Sequence, residues 1–339
     1  MTPASMDRAL TPLEELLKEK VSRLVGPALT ACEAEIDRTL ASTVSLIAEM
    51  GGHVASAGGK RLRPILLLLC AKLSGFLAPR CVHLGCVVEL LHTATLIHDD
   101  VVDQAPLRRG RPSANARWGN DASILVGDHL YSKSFALLVQ DCDRAVMETL
   151  AHATVSMTEA EVFQLERKRD GVTTENDYLR IIRQKTASFI SACCRIGALA
   201  GGATAERVEA LAAYGENLGI AFQIVDDSLD FTADEARLGK AIGTDLREGK
   251  RTLPLIVTLA RATPEEQARI QTLLKSPGLS DPAIEEMREL VARYDGVGYA
   301  TARAMAYAEQ GKDTLEAFSP CEERETLALI ADYVVDRDR

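Results

Sequence analysis

A chain of 339 residues, of which 47% are hydrophobic and 26% charged, is long enough to bury a large core and is typical of a globular protein. Its formal net charge of −10 argues against a broad nucleic-acid-binding surface, which would need an excess of basic residues. The eight cysteines follow no metal-ligand or disulfide spacing, so we expect reduced thiols and a cytoplasmic protein.

The start of the chain predicts neither a signal peptide nor a membrane anchor. Early acidic residues stand where a signal peptide would be basic and then apolar, and the longest apolar run, 65–70, is too short to cross a bilayer. We expect residues 1–10 to form a flexible tail. The first helix is predicted to begin after Thr11, because Thr11, Pro12 and Glu14 have the pattern of a capping box.

Apolar residues repeat with a helical period along nearly the whole chain, and no convincing strand pattern interrupts them. The first two stripes consist of Leu13, Leu16, Leu17, Val21 and Leu24, and of Leu29, Cys32, Ile36, Leu40, Val44 and Ile47. Glycines in 51–59 are expected to end the second stripe. Later helices are predicted to start at 263–264 and 281–282, and the charged stretch 239–250 is predicted to be a mobile lid. Because no linker divides residues 1–339, we expect one all-α domain.

Two aspartates at the end of one apolar stretch are the first sign of a functional site. In "LIHDDVVD", residues 96–103, Asp99 and Asp103 would share one helix face about 6 Å apart along the axis, while Asp100 would point aside. Their carboxylates repel each other and favour a cation such as Mg²⁺, whose coordination phosphate oxygens can complete. For this motif alone, a solvated helix end is an equally good interpretation.

The same aspartate pattern returns later in the chain. "FQIVDDSLDF", residues 222–231, places Asp226, Asp227 and Asp230 at the same internal spacing, again at the polar end of an apolar stretch. Two such helix ends could face each other across a cavity and hold metal ions between them. Such a metal cluster would attract a multiply charged ligand, most plausibly a diphosphate.

Short basic stretches in this acidic chain agree with a diphosphate ligand. They are "GGKRLRP" at 58–64, Arg108 with Arg109, "QKTASF" at 184–189, Lys240 and Lys250. Arginine binds phosphate through a planar fork and lysine binds it as a point charge. Any one of these stretches alone is more often a solvated surface charge, so the argument depends on their combination with the two aspartate motifs.

These motifs, in this order from Gly58 to Pro254, resemble those of the trans-isoprenyl diphosphate synthases, and most closely the long-chain members that make octaprenyl or decaprenyl diphosphate. Ser228 and Thr244 are small departures from the family pattern. The resemblance implies an all-α isoprenoid synthase fold, with long helices around a central cavity, and a homodimer. It also implies an Mg²⁺-dependent prenyltransferase that joins isopentenyl diphosphate to an allylic diphosphate, for a quinone side chain, with peripheral membrane contact at product release.

The resemblance also assigns roles to individual residues. The expected Mg²⁺ ligands are Asp99, Asp103, Asp226 and Asp230. The allylic diphosphate would be held by Arg108, Lys185, Thr186, Gln223 and Lys240, and isopentenyl diphosphate by Lys60, Arg63, His92 and Arg109. The residues expected to be catalytic are Asp99, Asp103, Lys185, Asp226 and Lys240. Without the flanking motif, His92 would be read as a core histidine.

Product length is expected to depend on residues below the first aspartate motif. One helical turn before Asp99, Ala94 and Thr95 are small, whereas short-chain relatives carry aromatic rings at this level. Phe135 and Leu138 resemble positions that stop the growing chain, although Leu138 is an equally good core residue. The expected product has eight to ten isoprene units, by the resemblance.

Three alternatives remain open at this stage. The chain could be a short-chain farnesyl or geranylgeranyl diphosphate synthase, or the non-catalytic subunit of a heteromeric synthase. A class I terpene cyclase is disfavoured, because its second metal site does not read "DDSLD" and it lacks "GGKRLRP". Incorporation of labelled isopentenyl diphosphate by the purified chain alone would distinguish an active synthase from a non-catalytic subunit or a cyclase.

Overall fold

The computed structural model describes residues 11–56, 59, 61–75, 79–108, 110–141, 143–232, 243–275 and 279–336. The predicted tail 1–10 and most of the N-terminal part of the predicted lid lie outside these ranges. So do three expected substrate-binding residues, Lys60, Arg109 and Lys240.

The described chain is built almost entirely from α-helices, which confirms the predicted fold class. In chain order they are α1 (Pro12–Leu40), α2 (Ser45–Ser56), α3 (Leu62–Leu73), α4 (Pro79–Val102), α5 (Ala114–Trp118), α6 (Asn120–Asp141), α7 (Arg144–Asp170), α8 (Glu175–Ile182), α9 (Ser188–Ala200), α10 (Ala205–Thr232), α11 (Thr244–Arg247), α12 (Leu253–Arg261), α13 (Pro264–Lys275), α14 (Asp281–Arg293), α15 (Gly296–Thr314) and α16 (Glu322–Asp336). A π-helical turn, Arg183–Ala187, joins α8 to α9, and a 3₁₀ turn, Leu315–Ala317, follows α15. The antiparallel strands β1 (Leu107–Arg108) and β2 (Arg111–Pro112) form a short hairpin, too short for an alternating pattern to reveal.

The N-terminal helix begins as predicted but ends elsewhere. Thr11 Oγ1 accepts from the Glu14 backbone N–H at 3.2 Å and the Glu14 carboxylate accepts from the Thr11 N–H at 2.8 Å, which confirms the capping box. The expected break within 51–59 is confirmed in its range, since α2 ends at Ser56, but not at its first glycines, because α2 runs through Gly51. The second stripe is interrupted earlier, where α1 ends at Leu40. A β-carbon at Gly51 would lie 3.1 Å from Leu40 Cδ2, so this glycine allows α2 to pack closely on the end of α1.

The predicted helix start at 263–264 is confirmed, and the one predicted at 281–282 lies one residue earlier. Thr263 Oγ1 accepts from the Glu266 N–H at 3.3 Å while the Glu266 carboxylate accepts from the Thr263 N–H, so α13 has a capping box. Helix α14 includes Asp281, and Ser280 takes the capping position instead.

Close helix packing in the core depends on glycine. A β-carbon at Gly197 of α9 would lie 2.2 Å from the Leu67 carbonyl oxygen of α3, and one at Gly219 of α10 would lie 2.5 Å from Ala187 Cα. Real β-carbons do not approach that closely, so only glycine permits these contacts. The contacts set α9 between α3 and α10 and fix the π-helical turn against α10.

Helix α4 lies in the core and carries the first aspartate motif at its C-terminal end. It is the one helix of the described ranges that is long and apolar enough to cross a membrane by length and composition. Because 61% of its most apolar window is buried inside the protein, that property is weak evidence for a span. Leu84 and Leu91 are almost fully buried, as expected of a core helix.

Candidate active site

The first aspartate motif spans the last turn of α4 and the residue that follows it, Asp103. The Asp103 N–H donates to the Asp99 carbonyl at 2.8 Å, so helical geometry continues to Asp103 and both aspartates lie on one face. Asp100 is buried and accepts from Arg108 Nε at 2.7 Å, so Arg108, expected on the allylic diphosphate, here pairs with this aspartate. Burial raises the pKa of the Asp99 carboxyl, although Lys185 opposes the shift.

The π-helical turn Arg183–Ala187 carries two of the predicted substrate-binding residues, Lys185 and Thr186. Such turns are common at functional sites because the extra residue changes the direction of the side chains. Lys185 forms an ion pair with Glu161 of α7. Burial opposes the charge on Lys185, but the nearby Asp99 and Glu161 outweigh it and raise its pKa. Lys185 is therefore a half-buried ammonium that faces the first motif.

The middle aspartate of the second motif anchors a chain of hydrogen bonds. Asp227 is buried and accepts from the Tyr178 hydroxyl at 2.7 Å and from Gln223 Nε2 at 2.8 Å. Gln223 Oε1 in turn accepts from the Thr186 hydroxyl at 2.8 Å. Burial, together with the neighbouring Asp245, raises the pKa of Asp227 to about 8. Gln223 and Thr186, both predicted to hold the allylic diphosphate, are thus fixed to each other and to the second motif.

The last aspartate of the second motif binds the backbone of the described part of the predicted lid. Asp230 is fully buried, and its two oxygens accept from the backbone N–H groups of Thr244 at 3.2 Å and Asp245 at 3.0 Å. It therefore holds the start of α11, in the described part of the predicted lid. The spacing of the motif could not show which backbone groups approach Asp230, and its expected role as a metal ligand stays a prediction.

A lysine after α11 connects the lid to the first motif. Lys250 Nζ lies 3.0 Å from Asp103 Oδ2 and 2.6 Å from Glu248 Oε2. Burial opposes its charge, but Asp103 and Glu248 raise the pKa of Lys250. Since Asp230 holds the other end of α11, this short segment joins the two aspartate motifs.

Several residues of this site were missed by sequence reasoning. They are Glu161, Tyr178, Asp245 and Glu248; the sequence marks Lys250 only as one of several basic residues. No sequence spacing points to Tyr178, because the π-helical turn interrupts the helical register between it and Lys185, and its partner Asp227 is 49 residues away. The pairing of Glu161 with Lys185 likewise depends on tertiary packing alone.

The residues expected to hold isopentenyl diphosphate are only partly described. The Arg63 guanidinium lies 5.5 Å from the centre of the Phe189 ring, and His92 is half-buried on α4. In the same basic stretch, Arg61 donates to Glu89 of α4 at 2.8 Å and is therefore structural. The second diphosphate site stays a prediction.

The four residues expected to set product length have different surroundings. Ala94 has no exposed surface and packs in a core cluster with residues of α1, α2 and α6. Thr95 is partly exposed, and its hydroxyl donates to the His92 carbonyl at 2.8 Å. Phe135 stacks on Tyr131 with ring centres 5.1 Å apart, and Leu138 is 1% exposed. Thr95 and Phe135 are thus the two of the four that present accessible surface, whereas Ala94 and Leu138 are buried.

The donor chemistry suits a hard divalent cation, because the site gathers carboxylate oxygens. Within the described ranges, however, no three His, Cys, Asp or Glu side chains converge closely enough to hold an ion. Lys250 lies against Asp103, and the Lys185 charge acts on Asp99. The carboxylates are compensated by lysines in this structure.

Comparison with known proteins identifies the fold and the family. Residues 44–291 match the family model described as Polyprenyl synthetase. The chain belongs to this family. It is 37% identical to the octaprenyl diphosphate synthase of Haemophilus influenzae over 320 residues, which cover 94% of this chain and 97% of that protein. It is therefore a prenyltransferase.

Two solved structures show the same architecture. A polyprenyl synthase from Caulobacter crescentus, complexed with calcium and isoprenyl diphosphate, is 37% identical with a TM-score of 0.91 and covers 95% of this chain and 98% of its own. A decaprenyl diphosphate synthase from Rhodobacter capsulatus is 40% identical with a TM-score of 0.89, covering 95% and 99%. The predicted isoprenoid synthase fold is confirmed.

Proposed function

We propose that this prenyltransferase condenses isopentenyl diphosphate with an allylic diphosphate and repeats the step to make a long-chain all-trans polyprenyl diphosphate. The observation that carries the proposal is the arrangement of charge at the site. Asp99 and Asp103 end one buried helix, and Lys185 and Lys250 face them from two other segments. A cluster of this kind suits a ligand with several negative charges and its counterions. The similarity to synthases of octaprenyl and decaprenyl diphosphate supports the long product.

The lysines supply the electrostatic part of the reaction. As the allylic C–O bond breaks, negative charge develops on the leaving diphosphate, and ammonium groups in a half-buried site stabilise that charge more strongly than in water. The buried walls exclude water from the allylic cation, so that the double bond of isopentenyl diphosphate can attack it. The released diphosphate then takes the proton, since the family mechanism needs no protein base.

We further propose that the site works with Mg²⁺, whose preference for carboxylate and phosphate oxygens fits Asp99, Asp103 and Asp226. Bound Mg²⁺ would neutralise diphosphate charge. Asp230 is the least accessible of the four expected ligands, because backbone N–H groups already occupy its oxygens.

The surface of the chain supports a homodimer, the second part of this proposal. Helices α6 and α7 expose large apolar side chains, among them Leu125, Val139, Val155 and Val162. Where such exposed apolar side chains form one surface, they mark a protein interface. We propose that a cytoplasmic homodimer forms through them and releases its product at a membrane surface for a quinone side chain. Sedimentation of the purified chain tests the dimer, and a monomer at micromolar concentration would contradict it.

The test of the activity uses the purified chain alone. With labelled isopentenyl diphosphate, an allylic primer and Mg²⁺, we expect a long-chain product, and removal of the cation with a chelator should abolish incorporation. Asp99→Ala or Asp226→Ala should lower turnover at least about a hundredfold without unfolding the protein, because charge complementarity and not packing is lost. Asp37→Ala, at an exposed aspartate of α1, is the matched control.

Other outcomes would distinguish the alternatives. A product no longer than geranylgeranyl diphosphate would indicate a short-chain synthase. No incorporation until a second protein is added would indicate a subunit of a heteromeric enzyme, and full activity of Asp99→Ala would contradict the assigned site.

A further inference from the structure

We infer that His83, at the far end of α4 from the aspartates, is a positioning residue whose charge holds the floor of the product tunnel and so limits product length. The inference rests on the proposed function. His83 lies 16 residues before Asp99, which is about 24 Å along a helix. It therefore acts at a distance from the reacting groups.

His83 joins three helices through its ring. Nδ1 lies 2.7 Å from Glu35 Oε1 of α1, and Nε2 lies 2.9 Å from the Leu137 carbonyl oxygen of α6. The side chains of His83 and Glu35 are each about one fifth exposed, so the contact between them is partly shielded from solvent. The imidazole thus links α1 and α6 across α4.

The two partners determine the protonation state of the ring. A carbonyl oxygen can only accept, so Nε2 must carry a proton. In a neutral ring Nδ1 would then be an acceptor facing a carboxylate, which is repulsive. Only the imidazolium donates to both Glu35 and Leu137, and it also complements the negative end of α6. Burial opposes this charge, but the Leu137 carbonyl and Glu35 outweigh it and raise the pKa of His83.

The other groups near the ring support the same state. Asp141, at the end of α6, is a second carboxylate that favours the charged ring. Arg80, one turn before His83 on α4, donates two hydrogen bonds to Asp141 at 2.6 Å each. On the α1 side, Cys32 and Cys86 lie near Glu35 with their pKa raised to about 12 by burial, so they stay neutral.

Two cations of α4 therefore hold the last turn of α6: Arg80, through Asp141, and His83, through the Leu137 carbonyl. Arg80 keeps its charge at any physiological pH, whereas His83 does not. His83 binds the carbonyl of Leu137. Leu137 lies between Phe135 and Leu138, which are the two residues expected to form the tunnel floor. A neutral ring has one N–H and can donate either to Glu35 or to the Leu137 carbonyl, but not to both, so deprotonation breaks the link between α1 and α6. The loss of this link should loosen the last turn of α6 and let longer chains pass.

The direction of the pH effect follows from the raised pKa. The double contact is complete below the ordinary histidine pKa of 6.5 and is lost as the pH rises through the higher pKa of folded His83. We expect the wild-type product to lengthen with rising pH.

The experiment measures product length by chromatography of the dephosphorylated products at about pH 6.5 and about pH 9, with saturating substrates. In the wild-type protein, the fraction longer than the main low-pH product should at least double at the higher pH. In His83→Gln that fraction should be high at both pH values and change by less than the wild-type fraction does. His152→Gln, at an exposed histidine of α7, should behave like the wild type.

A second variant covers the case in which His83→Gln does not fold. Glu35→Gln keeps an acceptor for Nδ1 but removes the charge, so the lengthening should occur at lower pH than in the wild type. An active His83→Gln or Glu35→Gln enzyme with the wild-type length profile at both pH values overturns this inference alone. A wild-type chain that makes no prenyl product overturns the proposed function, and this inference with it.

Discussion

A single methyl group at Gly219 should test whether the π-helical turn positions the reacting groups. Gly219 of α10 faces Ala187, the last residue of the turn that carries Lys185 and Thr186. A β-carbon there would lie 2.5 Å from Ala187 Cα and 2.9 Å from Ala187 Cβ. Since carbon atoms in contact are about 3.5–4.0 Å apart, Gly219→Ala must separate the two segments by about 1 Å.

The expected effect on stability is small because two terms oppose each other. Overpacking of a core costs about 1–3 kcal/mol, while replacing a helical glycine by alanine returns about 1 kcal/mol. The free energy of unfolding should therefore fall by no more than about 2 kcal/mol. Turnover should fall by up to about a hundredfold, because a 1 Å misplacement of catalytic groups can lower the rate by about that factor.

The assay compares turnover with thermal unfolding for Gly219→Ala and for Gly52→Ala. Gly52 is also helical, but a β-carbon there meets nothing within 4 Å, so the control gains the same helix propensity without a clash. We expect wild-type activity in the control and a loss of at least about tenfold in Gly219→Ala. Turnover of Gly219→Ala within twofold of the wild type would refute the positioning role of the turn.

Three further predictions concern individual side chains. Tyr178→Phe removes a donor to the buried Asp227, so turnover should fall about tenfold while circular dichroism shows the fold retained. Unchanged kinetics would contradict the hydrogen-bond chain. Lys185→Ala should mainly impair use of the allylic substrate and Arg109→Ala should mainly raise the KM for isopentenyl diphosphate, which steady-state kinetics with each substrate varied can separate. Thr95→Phe should shorten the product towards farnesyl or geranylgeranyl diphosphate, and an unchanged product in an active enzyme would mean that the tunnel does not pass Thr95.

Local patterns in the sequence predict what depends on neighbours along the chain. The helical period gives the fold class, and the Thr11 capping box gives the first residue of α1, because both are determined within a few residues. The i, i+4 spacing correctly places Asp99 and Asp103 on one face. The motif order was enough to identify the family.

Features that depend on tertiary packing could not be predicted in this way. Gly51 looked like a helix break, yet its lack of a side chain serves the contact with Leu40 and not a turn. Lys250 looked like one more basic residue, yet folding brings it to 3.0 Å from Asp103. In both cases the deciding partner is distant in sequence or lies across a loop.

The second aspartate motif shows why identical residues at a familiar spacing need not act alike. The backbone of α11 donates to both oxygens of Asp230, and Tyr178 and Gln223 donate to those of Asp227, so these two buried carboxyl groups each accept two hydrogen bonds. Asp226 is the member of the motif that is only half-buried. Because burial disfavours the charged form of a carboxyl group, as the pKa of about 8 at Asp227 shows, the charge that the second motif presents to a ligand should come mainly from Asp226.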